Sequence, residues 1–553
     1  MSELFTGFQI RLSAFGGAPA AVAHQPSPIW LGDAARARAM SRGLYRLAGQ
    51  ELSAPGLGPW KLKAPSQAFF DALHGFDWLG DFALLPGVEG KRVARSWIYG
   101  WIALHGDGDG AGWRPGLAGR RLTAWTIHAP LALAGADPEL TKRFYRAIGA
   151  HARYLAGAWR KAAPGRSRIN ALAGLLWVSL AFDRYQPERE RNAASLAASA
   201  DLLIGPDGGL PSRNPEDLAD IHLTLAAAVA ELERAGVPAP PILRATLDRM
   251  APTLRLLRFG DGGLARFHGG HAGPSGRLDH ALALARAPRV APRRAGMGFR
   301  RMSGGRTAVI VDAAPPPETA VAHASSLALE LCSGPRRVIV SCGPGAAFGA
   351  DWADACRATA AHSALTVDRS SSSRIAARAK GPGPHPFAET PATVTAEEAA
   401  DTDGEWLSLS HDGYLVSHGL IHRRRLFLSL DGRDFRGEDT LDAQGAKARR
   451  VMDRAAADGG HGLGRLPFAA RFHVHPDLEA EVEGDCVAIH GDGALWRLSQ
   501  NGGAVALESS VWFDPDARAP RATKQIVVSA ATEGYWGRVT WAFRRDDAPR
   551  GRP

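Results

Sequence analysis

Cysteine is nearly missing from this chain of 553 residues. The four present, Cys332, Cys342, Cys356 and Cys486, form no CxxC pair and no zinc-finger spacing. A cross-strand bridge between Cys332 and Cys342 and a set of buried free thiols both stay open, and the redox compartment with them. Long apolar runs are missing as well. None reaches the roughly 18 residues of a spanning helix, and the longest, Ala171–Phe182, suits a buried helix, so no integral membrane segment is expected. The opening MSELFTGFQIRLSAFGGAPAAVAH lacks an early basic region followed by an unbroken apolar stretch and reads as a poor signal peptide. No nucleic-acid reader motif and no basic stripe is present, so nucleic acid is not an expected partner. The net charge of +10 and pI near 9.7 nevertheless favour polyanions in general. Arginines spread evenly along the chain account for that charge equally well as a matter of composition.

What is present divides the chain. Its length exceeds what one hydrophobic core organises, which predicts two or three domains. Residues 1–65 are punctuated by Gly and Pro and read as an N-terminal extension, with a short helix through Asp33–Gln50 and a connector over Gly56–Pro65. Residues 66–295 carry helical periodicity. The segments VARSWIYGWIALHG, RRLTAWTIHAPLALAG, LTKRFYRAIGAHARYLAGAWR, RINALAGLLWVSLAF, LADIHLTLAAAVAELERAG and ILRATLDRMAPTLRLLRF place apolar residues at i, i+3 and i+4. Several are apolar nearly all round, as helices in a double layer must be. Antiparallel hairpins curled into an incomplete (α/α) toroid fit the pattern, and so does a simple bundle. No fixed repeat motif marks a named solenoid. Residues 296–545 switch to short apolar or alternating runs separated by turn signals, which predicts an antiparallel β-sandwich. Within them Ser370–Asp403 reads as a long surface connection, and 546–553 is a polar tail. The expected class is α+β multidomain.

Two Gly-rich breaks, Gly205–His222 and Phe259–His280, interrupt the helices, and loops of that composition tend to carry sites. The stretch Val321–Asp368 opens the β half with His323 before its first strand and His362 entering its last. Here AHASSLALELCSGPRRVIVSCG, ATAAHSALTVD and HDGYLVSHGLIHRRRLFLSLDG resemble the C-terminal domain of the heparinase II/III-like family. GPDGGLPSRNPEDLADIHLTL and RMAPTLRLLRFGDGGLARFHGG look like the N-terminal half of a proteobacterial branch of it, and the resemblance spans most of 70–545. It implies a toroid-plus-sandwich polysaccharide lyase, a uronic-acid-containing acidic polysaccharide as partner, and a periplasmic or envelope location. β-Elimination needs a group that neutralises the C5 carboxylate, a base for the α-proton and an acid for the leaving oxygen.

By position, the resemblance gives Asn214 the carboxylate-neutralising role, with Arg213, His222 and Arg266 as substrate-binding neighbours. Locally, Asn214 before Pro215 equally reads as a helix cap, and His222 as an ordinary helix histidine. His268 and His271 occupy the loop where family lyases carry their acid/base tyrosine, while this chain has no Tyr between Tyr185 and Tyr414. Either a histidine replaces the phenol, together with His323, or the mechanism is absent. His323 and His362 match two ligands of the zinc site found in family members. The third ligand falls in a turn that here reads SCGPG, offering Ser341 or Cys342, and Ser325 stands where members often keep Asp. The other reading is that these histidines brace strand ends. His411, Tyr414, His418, His422 and Arg424 fall on a hairpin whose period of two puts His418 and His422 on one face, with Arg424 pairing to Asp431 or Asp439, and His473 and His475 alternate similarly. These are read as structural. A hydrolase using the adjacent Glu216 and Asp217 lacks the carboxylate spacing such chemistry requires. Two functions follow: a lyase, or a non-catalytic polyanion-binding or envelope-assembly protein that kept the fold.

Overall fold

The computed structural model describes residues 10, 17–108, 110–288, 292–376, 385–491, 494–514 and 519–547. Most of the opening segment read for a signal peptide, and residues 548–553 of the tail, lie outside these. The chain forms two compact units. One comprises residues 1–210, 217–251 and 277–289; the other comprises 211–216, 252–276 and 290–553. The division expected near residue 295 is therefore not a single cut, because the loops around Asn214 and His268 belong with the β unit.

The helical unit grows from the predicted segments. VARSWIYGWIALHG lies in the helix Glu89–His105, and RINALAGLLWVSLAF in Arg166–Ala181. Pro115–Ile127 packs tightly on Arg166–Ala181 because small residues face each other. A Cβ on Gly119 would sit 2.2 Å from the Asn170 carbonyl oxygen. The aromatic cluster foreseen around Phe69–Phe82 becomes a core that includes Phe76, Trp78, Trp101 and Trp125, all fully buried. Arg121 lies inside it, its guanidinium 3.9 Å from the Trp101 ring and its Nε 2.9 Å from Nε2 of His151. The helix through Asp33–Gln50 is shorter than expected. It spans Ala34–Ser41 and gives way to a hairpin, Leu44–Leu47 with Gln50–Ser53. The helices Arg189–Leu203 and Arg277–Leu284 were not foreseen. The first buries only five of its fifteen residues, four of them Ala or Leu, so its apolar stripe is faint.

The β unit is a sandwich of two antiparallel sheets. One has eight strands in the spatial order 394–400, 404–414, 420–429, 434–442, 536–547, 494–501, 486–491 and 479–483. The other has nine and runs 504–512, 521–531, 467–474, 336–340, 329–333, 307–312, 299–304 and 295–296, with 365–367 paired beside 467–474. Burial alternates along Asp434–Asp442 as a half-buried strand requires. Leu329, Leu331, Leu426, Leu428, Phe472 and Phe543 are among the residues filling the space between the sheets. A strand, Val394–Ala400, lies within the stretch read as a surface connection. The helix Gly445–Asp458 inside the β half was also unforeseen, and Ala448, Met452 and Ala456 are its only buried residues.

Candidate functional site

Most of the residues singled out from sequence meet in the β unit. The Gly-rich loop Phe259–Gly276 is anchored at both flanks. Asp261 pairs with Arg337 at 2.6 Å, and the Arg266 amide donates to Glu330 at 3.2 Å. His268 then adopts a left-handed backbone (φ 49°), followed by Gly269 at φ 83°. This turn aims two successive amides at His323. The His268 N–H lies 3.1 Å from Nδ1 and the Gly269 N–H 3.0 Å from Nε2. A neutral imidazole accepts at one nitrogen only, so the ring satisfies one amide at a time. The His323 N–H in turn donates to Nδ1 of His268 at 3.2 Å. That assigns the His268 proton to Nε2, which faces Oδ2 of Asp312 at 3.2 Å.

Asp312 ends an apolar strand and is fully buried. It accepts from Ser325 at 2.6 Å and forms an ion pair with Arg213. Burial pushes its pKa up, but Arg213 and His268 outweigh that and hold it near about 2. Arg213 has no donor group directed outward. Nε reaches the Met297 carbonyl at 3.1 Å, Nη1 the Pro315 carbonyl at 2.7 Å, and Nη2 the Gly298 carbonyl at 3.0 Å besides Asp312. Asn214 caps the following helix, its Oδ1 accepting the Glu216 N–H at 2.9 Å, and a Cβ on Gly270 would lie 2.6 Å from that oxygen. The His271 amide donates to Glu216 at 2.9 Å, while burial and then Arg266 lower its imidazole pKa to about 3.

Arg266 is buried and engaged. Its Nη2 donates to the Phe513 carbonyl, and its guanidinium lies 4.3 Å from the Trp512 ring. It passes directly over Gly343, where a Cβ would come within 1.9 Å of Nη2 and φ is 86°. Only glycine fits there. His323 and His362 lie with ring centroids 4.7 Å apart, and the His268 centroid is 5.7 Å from that of His323. All three are essentially inaccessible at 0–1% exposure. Burial first, and then the neighbouring histidines, drive the His323 pKa well below the ordinary histidine value; His362 falls to about 3 through burial and His473. All three are neutral at physiological pH.

The zinc set does not assemble. Zinc requires ligand atoms converging at about 2.0–2.3 Å on one point. His323 and His362 stand together, but Cys342 points elsewhere, its Sγ 3.7 Å from Nδ1 of His473 and 3.9 Å from Oγ of Ser510. Burial raises its pKa to about 11, so it is a thiol. Ser341 is buried with no partner for its hydroxyl among the described residues. The one trio of His, Cys, Asp or Glu among the described residues with ligand atoms within 4.8 Å of one another is Glu481, Glu483 and His490, at a different place in the sandwich. His222 belongs to the helical unit, on Pro215–Arg234.

The hairpin histidines form a separate buried chain. His422 faces His411 at 3.1 Å and Asp439 at 2.8 Å, and Arg424 grips both oxygens of Asp439 at 2.7 and 3.0 Å. Asp439 is thus the partner of Arg424, as one of the two expected. His418 departs from expectation: the turn is a short helix, Leu415–His418, so it shares no strand face with His422. His473 bonds Ser510 at 2.7 Å and the Ala360 carbonyl at 2.9 Å. Two organising residues escaped the sequence reading, Asp312 and Glu330. The signal was a lone acid within an apolar strand, AVIVD and LALELCS, which demands a buried partner.

An antiparallel sandwich joined in one chain to a helical toroid unit defines the architectural class of the toroid-plus-sandwich polysaccharide lyases. Residues 286–542 match the family "Heparinase II/III-like, C-terminal". A crystal structure of heparinase III superposes with a TM-score of 0.72 at 11% identity, covering 98% of this chain and 89% of that one. A heparan sulfate lyase from Pedobacter heparinus superposes at 0.60 with 15% identity over 99% and 89%. Such identities establish the fold alone. FtsZ-localized protein C of Caulobacter vibrioides (strain NA1000 / CB15N) is 32% identical over 536 residues, 94% of this chain and 89% of that protein. The chain belongs to the heparinase II/III-like family.

Proposed function

We propose that this chain is a non-catalytic member of its family that holds an acidic polymer at the site of cell division. The observation that carries this reading is the burial of the lyase positions. β-Elimination needs groups that touch substrate, yet His268, His323 and His362 are 0–1% exposed and every Arg213 nitrogen already donates within the protein. Tyr414 does not supply the absent phenol, because its hydroxyl donates to the Leu365 carbonyl at 2.7 Å inside the core. The net charge of +10 supports an acidic partner. The name of the Caulobacter relative, FtsZ-localized protein C, supports the place of action. Four unbridged cysteines suit a reducing compartment better than the periplasm implied by resemblance.

The test incubates purified protein with heparan sulfate, chondroitin, alginate and bacterial polyuronates, and follows both retention on the immobilised polymer and the ultraviolet absorbance of an unsaturated uronyl end. Retention without product is expected. Product formed by the wild type and lost in Asn214→Ala would overturn this reading in favour of a uronate lyase. The observation favouring that second reading is that Asn214 lies beside the His268–His271 loop, as the chemistry demands.

A further inference from the structure

Close in sequence to His362, but lined by different residues, a cavity of about 720 Å³ opens in the β unit, a volume typical of small-molecule sites. One wall is the run Ser370–Ser373. The run is delivered by two successive non-glycine residues in left-handed conformation, Asp368 (φ 44°) and Arg369 (φ 60°). Such backbone persists only when the surroundings impose it. The Ser370 N–H closes the turn onto the Val367 carbonyl at 2.7 Å, and two of the serines tie the run to Thr359. Oγ of Ser371 accepts the Thr359 N–H at 3.1 Å, and Oγ of Ser372 is 3.1 Å from the Thr359 hydroxyl. Ser373 does not share in this. It is 3% exposed, lines the cavity, and its hydroxyl has no partner among the described residues. A buried hydroxyl without a partner is rare in folded proteins and calls for an explanation.

The remaining lining states what would fit. Arg374 and Glu389 pair at 2.6 Å and cancel. Asp412 leaves one net negative charge, its Oδ1 holding the Thr393 N–H at 3.0 Å. A carboxylate has room for several further donors, and adjacent hydroxyls on a ring match that capacity. Ser417 bonds Nδ1 of His418 at 2.8 Å, adding another hydroxyl to the wall. Val416, 77% exposed, and Leu415 give an apolar shelf. Hydroxyl-rich walls, one acceptor carboxylate and an apolar shelf complement a polyhydroxylated ring with polar edges and a C–H face. A negative site repels a uronate.

We infer that the cavity walled by Ser370–Ser373, Asp412 and Val416, whose lining includes none of the lyase positions, is a binding site for a neutral saccharide unit distinct from the acidic polymer proposed above. The Asp412 carboxylate accepts from ring hydroxyls, a rotation of Ser373 turns its unpartnered hydroxyl from the wall toward the sugar, and Val416 packs on the C–H face.

The experiment titrates the full chain with neutral tetrasaccharides of glucose and of N-acetylglucosamine, and with a uronate tetrasaccharide, by calorimetry and saturation-transfer NMR. Ser373→Ala removes a hydroxyl that makes no bond, so its melting temperature should match the wild type, and Asp412→Asn keeps the acceptor for Thr393. Binding of at least one neutral sugar, weakened tenfold or more in both variants with melting unchanged, is the expected result. No binding by any neutral sugar, binding unaffected by both substitutions, or preferential binding of the uronate at this site would each overturn the inference. Retention on polyuronate with no neutral-sugar binding would leave the function proposed above intact and remove only this site.

Discussion

The N–H of His323 donates to Nδ1 of His268, and the N–H of His268 lies 3.1 Å from Nδ1 of His323. Two residues 55 positions apart thus lock each other's backbone with their own rings. The lock fixes the orientation of both imidazoles toward the interior, with Asp312 behind His268.

Removing the support of this lock should destabilise the protein strongly. Asp312→Ala leaves Arg213 buried without its counter-charge, and breaking a buried pair of this kind costs about 3–5 kcal/mol. Denaturant unfolding of the variant checks it. A loss below about 1 kcal/mol would show that Arg213 finds another carboxylate or water.

The buried histidines predict an acid-sensitive fold. His271 and His362 have pKa values lowered to about 3 and His473 to about 4, each primarily by burial. A group depressed in the folded state contributes stability that is complete above its unfolded value of about 6.5 and is lost as pH falls toward its folded value. Stability should therefore decline from about pH 6.5 down to about pH 3–4, with each such histidine contributing about 1.4 kcal/mol per pH unit inside that window. Melting temperature measured against pH checks the direction; a profile flat between pH 7 and 5 contradicts it.

His362→Phe tests the brace against the metal ligand. Neither ring nitrogen of His362 makes a well-formed hydrogen bond among the described residues, and the ring stands beside Phe267 at 6.5 Å and 19°. An apolar ring of similar size should change stability by less than about 1.5 kcal/mol. Elemental analysis of the wild type should find no stoichiometric zinc. Zinc near one equivalent, lost in the variant, would restore the metal reading.

Gly343→Ala should be far costlier than its one methyl suggests. The new Cβ meets the Arg266 guanidinium, and φ of 86° is strained for any L side chain. Together they should cost about 2–3 kcal/mol. Thermal unfolding of Gly343→Ala beside Gly349→Ala separates the two causes, since position 349 has positive φ but open space around it.

Periodicity and turn signals were enough for the two structural classes and for most of the strands, and they narrowed the partner of Arg424 to Asp431 or Asp439, because these depend on local pattern and on nearest neighbours across a sheet. The helix cap at Asn214 was legible for the same reason: its acceptor serves an amide two residues away. The helix Arg189–Leu203 was not, since an alanine-rich stripe leaves little hydrophobic contrast.

The sequence by itself determined the family, the sandwich and the placing of histidines at the ends of its strands. Tertiary structure alone decided where those side chains lie and what they meet. Arg213 meets carbonyl partners 84 to 102 positions away, and Cys342 turns toward His473, 131 positions away. No local pattern specifies such partners, because the direction of a side chain at a loop or strand end is set by whatever distant group satisfies it. That is why these residues are legible in the chain as candidates, while their withdrawal into the core is visible only once it has folded.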